Sequence, residues 1–140
     1  MSKRIALSDF IEVDHVDLSD FARSVQLTSD HAQEDVSGFN ASGRDEYLAG
    51  RTTQSLTVEF FGSYGSGEVH QTLYELHRDK TIFTVKWRPN QNAGVSSTNP
   101  ELRGNVQALT YGPGAQRGNV DAFSVTFTCA DSTGLVYYET

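Results

Sequence analysis

The sequence predicts a mainly β protein: an antiparallel β-sandwich or barrel-like fold with one flanking α-helix and long loops. Four segments alternate hydrophobic with polar residues, and one further segment carries hydrophobic residues at helical spacing. Alternation with a period of two is typical of strands with one buried and one solvated face. Antiparallel sheets tolerate such strands, whereas parallel sheets are usually covered on both faces.

The four alternating segments define two faces each. The residues predicted to face the core are Phe21, Val25 and Leu27 in 19–30, Leu56, Val58 and Phe60 in 55–60, Phe83, Val85 and Trp87 in 81–87, and Phe123, Val125, Phe127 and Cys129 in 121–129. The residues predicted on the polar face of the first and last segments are Ser24, Gln26, Thr28 and Asp30, and Ser124, Thr126 and Thr128.

The segment 66–79 breaks this alternation. Val69, Leu73 and Leu76 follow each other at the spacing of one helical face. Ser66 is a plausible N-cap, and the carboxylate of Glu68 suits the positive end of a helix dipole. We therefore expect a three-turn helix that packs one face onto the sheet.

Three long polar segments separate these elements. The predicted loops are 37–51, 88–104, and a hairpin tip at 111–119 that contains three Gly and one Pro. A loop as long as the first usually has a function or is disordered.

Length and charge limit the possible functions. The 140 residues fit one domain, 1–140, and the net charge of −7 disfavours nucleic-acid binding because no cluster of Lys and Arg offsets it. A single cysteine permits neither an internal disulfide nor a thiolate zinc cluster. The chain shows no secretory signal and no apolar run long enough for a membrane span, so we expect a protein made in the cytoplasm without membrane contact.

Motifs for chemistry are weak throughout the chain. His77-Arg78-Asp79 resembles part of a kinase catalytic loop, but the Asn that this loop requires is replaced by Thr84. The Gly-rich segment 62–67 has the wrong glycine order for a dinucleotide site. His70 lies seven residues before His77, about 10.5 Å along a helix, too far for one metal ion. We predict no catalytic residues, no metal and no cofactor.

One segment, EDVSGFNASGRDEYLAG (34–50), carries a resemblance to a known family. It is similar to the part of siphophage major tail tube proteins that runs from a strand ending in Asp-Val-Ser/Thr through a Gly/Ser loop to Arg, an aromatic residue and Gly. The order of the remaining elements also resembles that family over nearly the whole chain: a strand, a helix, a Trp-containing strand and two late strands around a Gly-Pro-Gly tip.

The resemblance implies a structural protein of the virion. Proteins of that family form hexameric rings, which stack into a hollow tube around a tape measure protein and later conduct DNA. The implied partners are further copies of this chain, the tape measure protein, and tail terminator and baseplate or initiator proteins. Contact with DNA would be transient and non-specific. Assembly would take place in the host cytoplasm, and the final location would be the tail of the virion.

The resemblance also assigns roles by position. It implies that the loop from Ser37 to Arg51 joins successive rings, and the residues expected to make contacts are Asp35, Phe39, Arg44, Tyr47 and Leu48. The polar faces of 19–30 and 121–129 would suit the lumen wall, because a neutral or negative polar surface lets a polyanion slide.

Two other functions remain open. A tail terminator or baseplate hub component of the same fold would form single rings that do not polymerise. A monomeric β-sandwich binding module would carry clustered aromatic residues on a loop, whereas the aromatic residues here lie mostly at predicted core positions.

Overall fold

The computed structural model describes residues 4, 8–39 and 42–140. The elements are β1 (Phe10–Val13), β2 (Val16–Asp17), a 3₁₀ turn (Ser19–Phe21), β3 (Ala22–Asp35), β4 (Tyr47–Phe61), α1 (Val69–Arg78), β5 (Phe83–Arg88), β6 (Glu101–Ala108), β7 (Ala122–Cys129) and β8 (Val136–Tyr138).

All eight strands belong to one antiparallel sheet. Its order is β2-β1-β5-β6-β7-β4-β3, and β8 pairs with the part of β6 that β7 leaves uncovered. The predicted fold class, mainly β and antiparallel with one helix, is confirmed for the described residues.

The core lies on the apolar face of this sheet, beneath α1. The helix buries Val69, Leu73 and Leu76 there, as its spacing predicted. The strand residues that share this core are Ile11, Val13, Leu56, Val58, Phe60, Phe83, Val85, Leu102, Val106, Ala108, Phe123, Val125 and Phe127. Leu18 and Leu135 close the core from the connecting segments, whereas Phe21, Val25, Leu27 and Trp87 are only partly buried at its margin.

The helix begins later than predicted. Glu68, not Ser66, occupies the N-cap position, and its carboxylate accepts a hydrogen bond from the Ser63 hydroxyl at 2.7 Å. The Ser63 carbonyl accepts the backbone N–H of His70 at 2.9 Å. The preceding turn therefore satisfies one of the amides that a helix start leaves without partners, and Ser66 is not needed as a cap.

The predicted loop 88–104 contains the start of a strand. β6 begins at Glu101, inside a stretch whose Arg, Gly and Asn are poor strand formers. Gly104 fits because a Cβ there would lie 2.5 Å from the Leu135 side chain and 2.9 Å from the Gly134 carbonyl oxygen. Long-range packing thus selects this strand despite its weak propensity.

The remainder of that segment, 89–100, is an ordered loop around Asn99. Its buried side-chain amide donates to the carbonyl oxygens of Asn90, Ala93 and Gly94 at 3.0–3.2 Å, and its side-chain oxygen accepts the Asn90 N–H at 3.0 Å. One side chain therefore supplies the hydrogen bonds that hold a loop without regular secondary structure.

Cys129 is not a core residue, contrary to the prediction. It is only half-buried, and its thiol lies 3.3 Å from the Asp131 carbonyl oxygen. The alternation of β7 ends at this residue because the chain turns away from the sheet before β8.

Replacing Phe127 with Ala should lower the free energy of unfolding by about 3–5 kcal/mol, since it removes a completely buried ring from the core. Ser124→Ala on the exposed face of the same strand is the matched control and should change it by less than about 0.5 kcal/mol. Urea denaturation of both variants measures the difference; equal effects would contradict the assignment of faces.

Candidate assembly surfaces

The seven polar residues predicted as one surface lie on one face of the sheet. β4 is the strand between β3 and β7, and its register aligns Gln26 with Thr57 and Thr57 with Thr126. The hydroxyls of Thr57 and Thr126 are 3.4 Å apart. The neighbouring rows place Ser24 with Glu59 and Ser124, Thr28 with Ser55 and Thr128, and Asp30 with Thr53. We call this surface the polar face.

The polar face continues across the other half of the sheet and carries charge of both signs there. Gln107 pairs with Thr128, and the register from β6 to β5 to β1 adds Arg103, Lys86 and Glu12. The Lys86 amine lies 3.6 Å from the Glu12 carboxylate. The basic residues of this half are therefore matched by carboxylates.

Glu101 is the most buried charge on the polar face. Only 3% of its surface is exposed, and its two carboxylate oxygens accept hydrogen bonds from Arg88 at 2.7 Å and Arg103 at 2.6 Å. Burial by itself would raise the pKa of Glu101, but the two guanidinium groups outweigh it and hold the pKa below its ordinary value. The ion triad is therefore a stabilising contact in the ionised form.

Glu101→Gln should destabilise the fold at pH 7 by about 1–3 kcal/mol, because two guanidinium groups lose their charged acceptor. Since the folded-state pKa of Glu101 is lowered, its stabilisation is present above the ordinary Glu pKa and is lost as the pH falls through the lowered value. Urea denaturation at pH 7 and below about pH 4 should show the two proteins converging in acid.

Glu12→Gln is the control for this experiment, because it breaks the looser Lys86 pair and should cost less than about 1 kcal/mol at pH 7. A difference between wild type and Glu101→Gln that stays constant with pH would contradict the triad's role.

A two-stranded arm extends beyond the sheet. The pairing of β4 with β7 ends at Ser55, whereas its pairing with β3 continues to Asp35 and Tyr47. At the base of the arm, the Gln54 side chain donates to the Leu135 carbonyl at 3.1 Å and accepts the Leu135 N–H at 2.9 Å. Beyond these two hydrogen bonds, residues 47–53 pair with β3 alone.

The end of the arm is closed by hydrogen bonds and exposes hydrophobic residues. Val36 N–H donates to the Glu46 carbonyl at 3.0 Å, and Glu46 N–H donates to the Ser37 hydroxyl at 2.7 Å. The Asp35 carboxylate accepts the Ser37 N–H at 2.8 Å, and hydrogen bonds from Ser37 lower the pKa of Asp35. The exposed hydrophobic residues are Val36, Phe39, Tyr47 and Leu48. We call the described residues of this end, 35–39 and 42–48, the tip.

The residues predicted to make contacts all lie at the tip, but the bounds of the predicted loop are wrong. Residues 47–51 belong to β4, so the loop between the strands is 36–46 and not 37–51. Residues 40–41 of that predicted loop lie outside the described residues. Arg44 lies in the loop. Val36 is an exposed hydrophobic residue that was not predicted to make contacts. Its position directly after the acidic end of β3 was the signal that could have placed it in a turn.

The outer edge of β3 is open along its length. Within the described residues, this fourteen-residue strand pairs with β4 on one side and with no strand on the other. The opposite end of the sheet is different, because the 3₁₀ turn covers β1: Ser19 Oγ accepts the Ile11 N–H at 3.0 Å. A strand edge with unpaired backbone N–H and C=O groups is a template for pairing with another chain.

The two helical histidines have partners within the protein. His70 Nδ1 lies 2.7 Å from the Tyr111 hydroxyl, and His77 Nδ1 lies 2.8 Å from the Ala108 carbonyl oxygen. His70 attaches the 109–121 connection to α1, and His77 attaches the end of β6 to it. Among the described residues no group of three His, Cys, Asp or Glu side chains is arranged to hold a metal ion.

No helix of the described chain has the length and apolar character that crossing a membrane requires.

Comparison with solved structures identifies chains of the same fold. The protein superposes on a chain of the virion of a native gene transfer agent particle with a TM-score of 0.76 at 10% identity, covering 97% of this chain and 99% of that one. It superposes on a chain of the tail of an empty gene transfer agent particle, refined with helical C6 symmetry, with a TM-score of 0.66 at 10% identity, covering 86% and 82%.

A third similar chain comes from the six-fold symmetrised baseplate of the anti-feeding prophage, with a TM-score of 0.61 at 15% identity and coverage of 99% and 98%. No family model and no curated protein matches the sequence. Over nearly its whole length, the protein shares its fold with a chain of the gene transfer agent virion and a chain of the anti-feeding prophage baseplate.

Proposed function

We propose that the protein is a structural subunit of a phage-type tail tube, in which hexameric rings stack into a hollow conduit for DNA around a tape measure protein. The observation that carries this proposal is the combination of a continuous polar face with an unpartnered arm on one sheet. The fold shared with a chain of a C6-symmetric tail supports it.

In this proposal the polar face lines the lumen. Its hydroxyl and amide groups offer no array of unpaired cations to phosphate, since the lysine and arginine side chains of the β5–β6 half lie beside carboxylates. Because phosphate binding depends on basic groups that release counterions, such a wall holds DNA weakly. The apolar face and α1 then point away from the lumen.

Ring closure would use the open edge of β3. Its unpaired N–H and C=O groups can add a strand of the neighbouring copy, which would continue the sheet around the ring. Stacking would use the tip, whose exposed hydrophobic residues need a partner surface. The tape measure, tail terminator and baseplate or initiator proteins are the expected partners, DNA contact is transient, and the virion tail assembled in the host cytoplasm is the expected location.

A ring-forming baseplate component is the second candidate. The similarity to a chain of the six-fold anti-feeding prophage baseplate favours it. Such a protein, like a tail terminator, would form single rings, so the extent of polymerisation separates the two functions.

The first test is negative-stain electron microscopy of the concentrated protein. Hollow tubes of uniform width are expected, whereas isolated rings would favour the baseplate function and monomers would favour the monomeric β-sandwich binding module. Removing residues 40–45 leaves Val36, Ser37 and Glu46, the residues whose hydrogen bonds close the arm, and should abolish tubes while rings persist. Removing 113–117 from another exposed loop is the control and should leave tubes intact.

The orientation of the polar face is tested by thiol labelling in a Cys129→Ser background. In tubes, Thr28→Cys should react with a small maleimide but not with a bulky polyethylene-glycol maleimide, because the lumen opens only at its ends. Gln71→Cys on the exposed side of α1 should react with both. Equal reaction of the two positions with the bulky reagent would place the polar face outside.

A further inference from the structure

A concave site lies at the start of β3, where this strand approaches β1 and β5. Its volume is about 510 Å³, which is within the range of ordinary ligand pockets. Its lining includes Asp9, Ile11, Arg23, Val25, Trp87 and Gln91. We call it the β3 cavity.

The β3 cavity combines an aromatic wall with charged groups. The Trp87 indole N–H donates to the Asp9 carboxylate at 2.9 Å, and this carboxylate also forms an ion pair with Arg4 at 2.8 Å. Ile11 and Val25 add apolar surface, and Arg23 lies at the rim with 55% of its side chain exposed. The indole is therefore held in a fixed orientation with part of its surface uncovered.

The β3 cavity and the tip lie at opposite ends of the same strand. Val25 lines the cavity and Asp35 begins the tip. At about 3.3 Å per residue, the ten intervening steps place them roughly 33 Å apart. A tip therefore cannot reach the cavity of its own chain, but it can reach that of a second copy displaced along the strand.

We propose that the tip of each subunit inserts Phe39 into the β3 cavity of a subunit in the next ring. The proposal rests on the tail tube function and deepens it, since it names the surface that receives the tip. Phe39 is the aromatic residue of the 36–46 loop and is completely exposed, at 114% of its reference area. Its ring would cover the exposed part of Trp87, an arrangement that aromatic pairs favour.

Charge supports the same pairing. The loop carries the exposed carboxylates of Asp45 and Glu46 beside the single guanidinium of Arg44. The cavity lining has two cations and two carboxylates: Arg4 is paired with Asp9, and Arg23 and Asp20 lie beside them. Arg23 is the cation that can meet a loop carboxylate, because its contact with Glu59 is long at 3.4 Å and exposed to solvent. A contact between acidic tip and basic rim sets the direction of insertion.

The contact is heterologous, because two different surfaces of the chain meet. Contacts of this type form closed rings or open filaments, depending on the rotation between copies. A contact between successive rings does not close on itself, so each subunit would be linked to one subunit in the ring above and one in the ring below. Covalent linkage through this contact would then produce chains longer than one ring.

Cysteine cross-linking tests the contact in assembled protein. In the Cys129→Ser background, Gly38→Cys and Gln91→Cys are combined, which keeps Phe39, since a Cβ at Gly38 meets no atom within 4 Å. Tubes are treated with a short bismaleimide, and products are separated on denaturing gels. We expect a ladder that continues beyond the hexamer. Gly38→Cys combined with Gln71→Cys, a glutamine on α1 outside the cavity, is the matched control and should give no ladder.

Each other outcome overturns the proposal in a distinguishable way. Tubes without cross-links, or with equal cross-linking in the control, would exclude the cavity as the receiving surface and leave the tail tube function in place. A ladder that ends at the hexamer would show contact within a ring. Failure of the unsubstituted protein to assemble at all would contradict the tail tube function, and the tip contact with it.

Fluorescence gives a second measurement that needs no cysteine. Trp87 is the only tryptophan of the sequence, so its emission reports on the cavity alone. Assembly should shift this emission to shorter wavelength as the indole is covered. Phe39→Ala should remove the shift and raise the protein concentration needed for assembly by roughly tenfold. Leu109 is another exposed hydrophobic residue, and Leu109→Ala should change neither the shift nor this concentration. An unchanged shift in Phe39→Ala would overturn the proposal.

Discussion

The register of the β3–β4–β7 ladder is the constraint on which the rest of the structure depends. Val58 of β4 lies between Val25 of β3 and Val125 of β7, so three strands present their apolar residues to one side. Because side chains alternate along a strand, a slip of one residue would move all of them to solvent. The burial of Leu56, Val58 and Phe60 therefore fixes the polar face as well as the core.

This ladder also creates the arm. β3 and β4 are longer than β7, and their pairing continues after β7 has ended. The apolar residues near the tip have no core to join, so their burial requires another molecule. The same strands thus supply core residues at one end and exposed hydrophobic residues at the other. Gln54 and Leu135 mark the boundary between the two.

The features that the sequence placed wrongly depend on distant contacts: the start of β6, the start of α1 and the burial of Cys129. β6 contains Glu101 and Gly104, which are poor strand residues, yet Arg88 neutralises the first and Leu135 fills the space beside the second. The helix start was placed early because Ser63, which satisfies an amide of its first turn, lies on the connection from β4. Cys129 continues the alternation of its strand in sequence, but the chain leaves the sheet there.

The sequence by itself determined the fold class, the helix and its buried stripe, and the division of four strands into apolar and polar sides, because periodicity reports directly on burial. Its composition also predicted a loop at 37–51, of which the structure assigns 47–51 to β4. Only the tertiary structure decided which strands are neighbours, that the polar residues of β3 and β7 form one surface through β4, and that a cavity with Trp87 lies at the far end of β3 from Phe39. Pairing between strands distant in sequence sets these relations, and no local pattern encodes that pairing.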